Sequence, residues 1–100
     1  MMTIDLSPEV TLEVKALLSK YFGSETKIWV FGSRATGKSR RSSDLDLAVD
    51  MAGQEIPFDV MAKLSYDFEE SNLPMKVDVV DINACSSTFF KLIEGDRVAF

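Results

Sequence analysis

Two periods of apolar residues alternate along the chain and predict the order of its elements. Apolar side chains recur at helical spacing from Val10 to Tyr21, behind the helix start Ser7-Pro8-Glu9, and Gly23 is expected to end this helix. A second helical stretch begins at Pro57, and a last one follows Ser86 or Ser87 and runs to Glu94. The inner face of the helix after Pro57 is predicted to comprise Phe58, Met61, Leu64, Ser65 and Phe68.

Three segments predict strands. Residues 27–31 are rich in β-branched and aromatic residues, residues 44–50 alternate between polar and apolar with period two, and residues 76–81 form the third strand. A glycine-, serine- and arginine-rich turn with one short helix follows the first strand, and residues 97–100 suit a short final strand. The resulting order is α, β, short α, β, α, β, α. We therefore expect an α/β (α+β) fold, with a small mixed sheet of three to four strands flanked by helices.

Composition limits the chemistry. We expect the 100 residues to form a single domain, residues 1–100, with enough apolar residues (46%) for a core. The absence of histidine excludes imidazole as base or metal ligand, so carboxylates, lysines, tyrosines or water must act instead. Cys85, the lone cysteine, excludes an internal disulfide and suits a small buried side chain in a reducing compartment.

The location predicted from the sequence is the cytosol. The first residues, MMTIDLSPEV, lack the basic and long apolar regions of a signal peptide. No apolar run approaches the roughly 20 residues that cross a bilayer. The net charge of −5 argues against tight, non-specific binding to duplex nucleic acid.

Three aspartates are candidates for one acidic site. Asp44 and Asp46 lie two apart on a predicted strand, so their side chains share a face, with Cα atoms about 6.5 Å apart. Asp78 lies on the third strand and can face this pair if the two strands are neighbours. The residues between and after the pair are expected to point into the core: Leu45, Leu47 and Val49.

Such a cluster needs a cation, because two like charges about 4 Å apart repel by about 4 kcal/mol at an effective dielectric of 20. Mg²⁺ suits carboxylate oxygens together with substrate phosphates. The alternative is that these aspartates form the solvated face of a half-exposed sheet. Asp50 and Asp81, at strand ends, are interpreted as solvated turn residues.

The turn after the first strand is a candidate phosphate site. Gly32 lets the backbone approach a ligand closely, and Ser33 starts the short helix. Basic residues follow in the same loop: Arg34, Lys38, Arg40 and Arg41. The alternative is a solubilising loop. Residues 32–39 also fit the Walker pattern, but we reject it because no long helix can start at Lys38 before the next strand.

Gly32-Ser33, ten residues and then Asp44-x-Asp46, followed by an aspartate on a later strand, resembles the DNA polymerase β-like nucleotidyltransferase superfamily. The segment GSRATGKSRRSSDLDLAVD carries the resemblance, which extends from the first helix to the third strand. The size resembles the minimal nucleotidyltransferases of bacteria and archaea. Many of these are encoded beside a HEPN-domain protein and act as antitoxins, and some transfer AMP to a tyrosine of the HEPN ribonuclease.

The resemblance implies roles for individual residues. Gly32 and Ser33 would hold the β- and γ-phosphates of ATP. Asp44 and Asp46 would bind two Mg²⁺ ions, and Asp78 would complete the catalytic metal site and help to activate the attacking hydroxyl. Two further residues are candidate auxiliary phosphate contacts, Arg34 and Ser43.

Three functions remain open at this point. No second domain follows to hold an acceptor, so a HEPN partner or a second copy of the chain is expected to supply it, with residues 98–100 either at that interface or packed on their own sheet. The first function is AMP transfer to such a partner as an antitoxin. The second is steric masking of the partner without catalysis. The third is transfer to a small molecule, as in enzymes that modify aminoglycosides. A templated polymerase is the least compatible with the charge.

Overall fold

A computed structural model describes residues 4–100 as a four-stranded sheet with helices on both faces. The predicted α/β class and order of elements are confirmed. In chain order the elements are α1 (Pro8–Ser19), β1 (Thr26–Phe31), α2 (Ser33–Thr36), β2 (Leu45–Met51), α3 (Phe58–Glu69), β3 (Val77–Asp81), α4 (Ser87–Asp96) and β4 (Val98–Ala99).

The sheet is mixed, with strand order β3-β2-β1-β4. β1 runs antiparallel to both of its neighbours, whereas β2 and β3 are parallel. A parallel pair requires a crossover, and α3 provides it. β2, which carries the Asp-x-Asp segment, therefore lies inside the sheet with β3 beside it.

Serine residues cap the N-termini of two helices, α1 and α4. Ser7 Oγ accepts a hydrogen bond from the Val10 N–H at 3.2 Å, and Ser86 Oγ accepts one from the Phe89 N–H at 3.1 Å. The predicted end of α1 at Gly23 is wrong, because the last helical residue is Ser19.

Alternate residues of β2 separate the two cores. Leu45, Leu47 and Val49 are fully buried beneath α1 and α3, as predicted. On the other face, Ala48 packs with Phe31 and Ile93 beneath α4. The alternation leaves Asp46 on the α4 face of the sheet, where one helix of ten residues provides the only helical cover among residues 4–100.

The predicted inner face of α3 is partly wrong. Leu64 and Phe68 are buried, but Phe58 is 88% exposed and Ser65 is also exposed. At 3.6 residues per turn, Phe58 and Ser65 lie about 120° and 100° around the axis from Leu64, which turns both away from the sheet.

The structure also tests the expectations for Asp50 and Asp81, for the last residues of the chain and for membrane-spanning helices. Asp50 and Asp81 are strand residues that accept hydrogen bonds, so their interpretation as solvated turn residues is wrong. Val98 and Phe100 pack against the first core, which favours the packing alternative for the last residues. Within residues 4–100, no helix combines the length and apolar character needed to cross a bilayer.

Candidate active site

Two of the predicted carboxylates come together through the register of the sheet. Asp46 and Asp78 are direct partners in the parallel β2–β3 pair, where neighbouring strands lie about 4.8 Å apart. Both are half-buried, and both face away from the core of Leu45 and Leu47. Asp44 is exposed and precedes β2, so the strand predicted at residues 44–50 begins one residue later than expected, at Leu45.

The electrostatics of Asp46 link all three carboxylates. Burial is the largest cause that raises the pKa of the Asp46 carboxyl above its usual range, followed by the charges of Asp78 and Asp44. A carboxylate in this position is destabilised unless a cation or a proton neutralises it. The site thus favours a bound cation.

The carboxylates of this site suit a metal ion that is also bound by substrate phosphates. Within residues 4–100, no three acidic or cysteine side chains lie close enough together to form a ready-made metal cage. Mg²⁺ takes few protein carboxylates and completes its octahedron with water and substrate phosphates. Oxygen ligands from Asp44, Asp46 and Asp78 fit that requirement.

Gly32 brings the turn after β1 against the same carboxylates. Phe31 pairs with Asp46 across the β1–β2 ladder, and Gly32 follows with φ 75°. A methyl group on Gly32 would lie 2.6 Å from Asp46 Oδ2, so only glycine leaves room for this carboxylate. Among the described residues, no hydrogen bond involves the N–H groups of Ser33 or Arg34. The turn therefore presents backbone donors beside the acidic site.

The structure gives Arg34 a role other than the predicted phosphate contact. Its guanidinium group is buried, with the residue only 5% exposed. It donates to the carbonyl of Asp5 at 2.8 Å, of Arg41 at 3.2 Å and of Ser43 at 2.9 Å, with a longer contact of 3.5 Å to Arg40. These bonds fasten the N-terminal segment and the loop before β2. Arg34 is therefore a loop anchor, and the prediction of a phosphate contact is not supported by its placement.

Ser43 belongs to the same anchored loop. Its hydroxyl accepts a hydrogen bond from the Arg40 N–H at 2.8 Å, in a turn over residues 40–43. Lys38 lies outside the helices and strands, just after the end of α2, a helix of only four residues, and no helix starts there, which confirms the rejection of the Walker pattern. The exposed cations of this loop are Lys38, Arg40 and Arg41.

Sequence reasoning missed a lysine beside the site. Lys76 Nζ lies 3.6 Å from Asp78 Oδ1, and the side chains of the two residues are 72% and 43% exposed. Residues two apart on a strand share a face, so the spacing of Lys76 and Asp78 contained this signal. A solvent-accessible ion pair of this kind contributes less than about 1 kcal/mol to stability, so a divalent cation can displace the lysine from Asp78.

A groove of about 750 Å³ opens beside Asp44 and Asp78. It runs past Lys76 to the C-terminal half of α3, where Phe68 and Met75 contribute apolar surface. Gly32, Ser33 and Asp46 do not line it. The groove and the glycine turn therefore lie on opposite sides of the carboxylates.

Comparison with known proteins identifies the family of this chain. The family described as polymerase beta, nucleotidyltransferase matches residues 13–98. A probable protein adenylyltransferase MntA from Haemophilus influenzae is 38% identical over 92 residues, which cover 90% of this chain and 77% of that protein.

Two solved structures share the fold. A toxin–antitoxin crystal structure with AMP-PNP superposes with a TM-score of 0.73 at 24% identity, covering 94% of this chain and 72% of that chain. A minimal nucleotidyltransferase superposes with a TM-score of 0.67 at 24% identity, covering 92% and 93%. The predicted fold is confirmed by these matches, and the predicted nucleotidyltransferase by the family match and the relative. The chain belongs to the polymerase β nucleotidyltransferase family.

Proposed function

We propose that this protein transfers AMP from ATP to a hydroxyl of a partner HEPN-domain toxin, in a Mg²⁺-dependent reaction, and so acts as its antitoxin. The observation that carries the proposal is the pairing of Asp46 with Asp78 on parallel strands, with Gly32 against Asp46. These features supply carboxylates for metal ions and a backbone turn for phosphates within one site.

The carboxylates would hold the metal. Asp44 and Asp46 would bind the ion that accompanies the nucleotide, and together with Asp78 they would bind a second, catalytic ion. When bound, these ions neutralise charge on the attacking and leaving oxygens of a displacement at phosphorus. Asp78, at the outer side of the set, would accept the proton of the attacking hydroxyl. The raised pKa of Asp46 supports this assignment, because burial and the two neighbouring charges favour a cation there.

The glycine turn would hold the phosphates. The N–H groups of Ser33 and Arg34, without partners among the described residues, are available to the β- and γ-phosphates, together with the Ser33 hydroxyl. Ser43 would contribute through the loop that Arg34 fastens. Exposed cations in that loop, such as Lys38, add positive charge near the leaving pyrophosphate.

The acceptor and the donor are inferred from relatives. A relative at 38% identity is named a probable protein adenylyltransferase, which supports AMP as the group and protein as the acceptor. A structure of the same fold is a toxin–antitoxin with AMP-PNP, an ATP analogue, which supports a toxin partner and ATP as donor. We assign residues 1–100 to one nucleotidyltransferase domain, which acts with a partner or a second copy.

Transfer of label tests the proposal. The chain, Mg²⁺ and its HEPN partner are incubated with ATP labelled at the α-phosphate or, in parallel, at the γ-phosphate. The partner should gain label only from the α-phosphate, together with the mass of AMP. Asp46→Asn should abolish labelling, whereas Asp50→Asn, on the same strand but beyond the site, should retain it. Labelling by Asp46→Asn equal to wild type would contradict the proposal.

The same pair of variants separates catalysis from steric masking. If Asp46→Asn binds the toxin, transfers no AMP and still neutralises it fully, masking is the function and transfer is not. If neutralisation is lost with transfer while the complex still forms, AMP transfer is the function.

A further inference from the structure

The order of the strands assigns a side to each reactant. The end of β1 with Gly32, Asp46 on β2 and Asp78 on β3 lie on three successive strands. In a displacement at phosphorus, the attacking and leaving oxygens lie on opposite sides of the phosphorus atom. Phosphates held at Gly32 and Ser33, as in the proposed function on which this inference rests, therefore require the acceptor to arrive from the β3 side.

β3 is an edge strand with unused backbone groups. The Leu45 N–H donates to the Lys76 carbonyl at 2.8 Å, and the Ile82 N–H donates to the Val49 carbonyl at 3.0 Å. In a parallel ladder, alternate residues point their backbone groups to the same neighbour, so those of Val77 and Val79 point away from β2. Outside the β2–β3 ladder, no hydrogen bond among residues 4–100 engages Val77 or Val79. This edge can pair with another extended chain.

The groove beside this edge has the character of a polypeptide site. Phe68 and Met75 provide apolar surface, and Ser65 and Ser71 provide hydroxyl groups. Its ionisable side chains are three carboxylates and one ammonium, from Asp44, Glu69, Asp78 and Lys76. The excess of negative charge favours a segment with basic residues.

We propose that the free edge of β3 and this groove bind the acceptor as an extended polypeptide segment, which adds a strand beside Val77 and Val79. A residue paired with Asp78 across the new ladder presents its side chain on the same face, about 5 Å away, within reach of a serine, threonine or tyrosine hydroxyl. The acceptor is therefore a hydroxyl residue in an extended, basic segment.

The transfer step at this position is balanced. The acceptor oxygen forms a bond to the α-phosphorus of ATP, and the bond from that phosphorus to the bridging oxygen breaks. Pyrophosphate leaves on the Gly32 side, and the hydroxyl proton goes to Asp78. The products are the AMP-modified segment and pyrophosphate.

Substitution at Val77 tests the edge. Val77→Pro removes an outward N–H, and proline is tolerated at the first residue of an edge strand because the β2–β3 ladder does not use that group. Val77→Thr keeps the N–H and nearly the same shape, so it is the matched control. The probes are synthetic peptides with one central tyrosine, serine or threonine, flanked by either lysine or glutamate, in the presence of α-labelled ATP and Mg²⁺.

Wild type and Val77→Thr should label lysine-flanked peptides, and Val77→Pro should lower kcat/KM for the peptide about tenfold, the effect of one lost hydrogen bond and an unpaired carbonyl. The Kd for MgATP should stay unchanged, and Val77→Pro should remain folded at the assay temperature. As a second variant that leaves the strand intact, Glu69→Lys should reduce the preference for lysine-flanked peptides about fivefold.

Several results would overturn the proposal. Equal labelling by Val77→Pro and Val77→Thr would do so, as would an absence of label on every peptide while the partner protein is labelled. If Val77→Pro does not fold, an unchanged flanking preference in Glu69→Lys would overturn it. A wild-type dimer that Val77→Pro converts to monomer with unchanged labelling would assign the edge to a second copy. A failure to bind MgATP in wild type would instead reject the proposed function.

Discussion

The carboxylate of Asp46 occupies the space that a side chain on Gly32 would take. A methyl group on Gly32 would lie 2.6 Å from Asp46 Oδ2, and the residue has φ 75°. The glycine turn and the acidic strand therefore leave no room between them for a side chain at position 32. A larger residue at position 32 would displace the Asp46 carboxylate.

Gly32→Ala should lower both stability and transfer. The strained backbone is expected to cost about 1–3 kcal/mol of unfolding free energy, and displacement of Asp46 should reduce kcat about 100-fold. Gly53→Ala is the matched control, because Gly53 has φ 77° but open space around an added methyl group. Denaturant unfolding should show a comparable backbone cost in both variants. Loss of transfer in the Gly53 variant as well would contradict the contact with Asp46 as the cause.

Asp46→Asn should stabilise the metal-free protein at neutral pH. Burial and the charges of Asp78 and Asp44 raise the pKa of Asp46, so the folded protein binds the proton more tightly than the unfolded chain does. This contribution to stability is present below the unfolded pKa of about 4 and is lost as the pH rises through the folded pKa. The variant has no such loss.

Unfolding temperatures in EDTA, measured from pH 8 down to about pH 4, check this prediction. The stabilisation by Asp46→Asn should be largest at high pH and should shrink towards acid. Added MgATP should stabilise wild type and leave the variant unchanged. A variant that is less stable than wild type at neutral pH without metal would show that the carboxylates do not repel.

Arg34→Met should release the loop before β2. It removes the donors of partly buried hydrogen bonds to carbonyls that include those of Asp5 and Ser43, and should cost about 2–4 kcal/mol of unfolding free energy. Arg34→Lys should restore only part of this, because an ammonium cannot reach the same carbonyls in a planar fork. Arg40→Ala, at an exposed side chain, should change stability by less than about 0.5 kcal/mol.

Nucleotide binding separates the two interpretations of Arg34. If Arg34 only anchors the loop, Arg34→Met should raise the Kd for MgATP only to the extent that the loop becomes mobile. Arg34→Lys should keep most of the affinity for MgATP under conditions in which the variant is folded. A folded Arg34→Lys variant with no MgATP affinity would indicate a direct phosphate contact instead.

Asn83→Ala should weaken the protein in a pH-dependent way without affecting transfer. The Asn83 amide donates to Asp50 Oδ1 at 2.8 Å and is the largest cause that holds the pKa of Asp50 below its usual range, ahead of the Gly53 N–H. The contribution is present above the unfolded pKa of about 4 and is lost as the pH falls through the lower folded pKa. The difference between wild type and variant should therefore shrink in acid. Transfer should persist, because Asp50 lies about 13 Å along β2 from Asp46.

The sequence predicted the parts of the fold that depend on local periodicity. Strict alternation through β2 places Leu45, Leu47 and Val49 in the core and Asp46 on the opposite face, as observed. From the sequence, Asp78 could be placed beside Asp46 only on the condition that their strands are neighbours, because strand order and direction are set by long-range packing. The structure supplies that condition through the parallel β2–β3 pair.

Residues with several possible partners could not be assigned from sequence. Arg34 carries a group that suits a phosphate and a carbonyl equally well, and only its burial distinguishes the two uses. Asp50 and Asp81 have turn residues near them, yet their oxygens accept hydrogen bonds from residues 2 to 33 positions away. Phe58 was misplaced because hydrophobicity alone predicted burial at the start of α3, where the helix turns that position to solvent.

The parallel register of β2 with β3 makes function depend on which residues of β3 face each side of the sheet. A shift of β3 by one position would turn Asp78 towards the aliphatic interior and expose Val77 or Val79 in its place. The hydrogen-bonded ladder, and not the length of the intervening helix and loops, fixes this alignment. Segments between the two strands can consequently gain or lose residues during evolution or engineering, whereas a one-residue shift of register within β3 would silence the enzyme while keeping a recognisable fold.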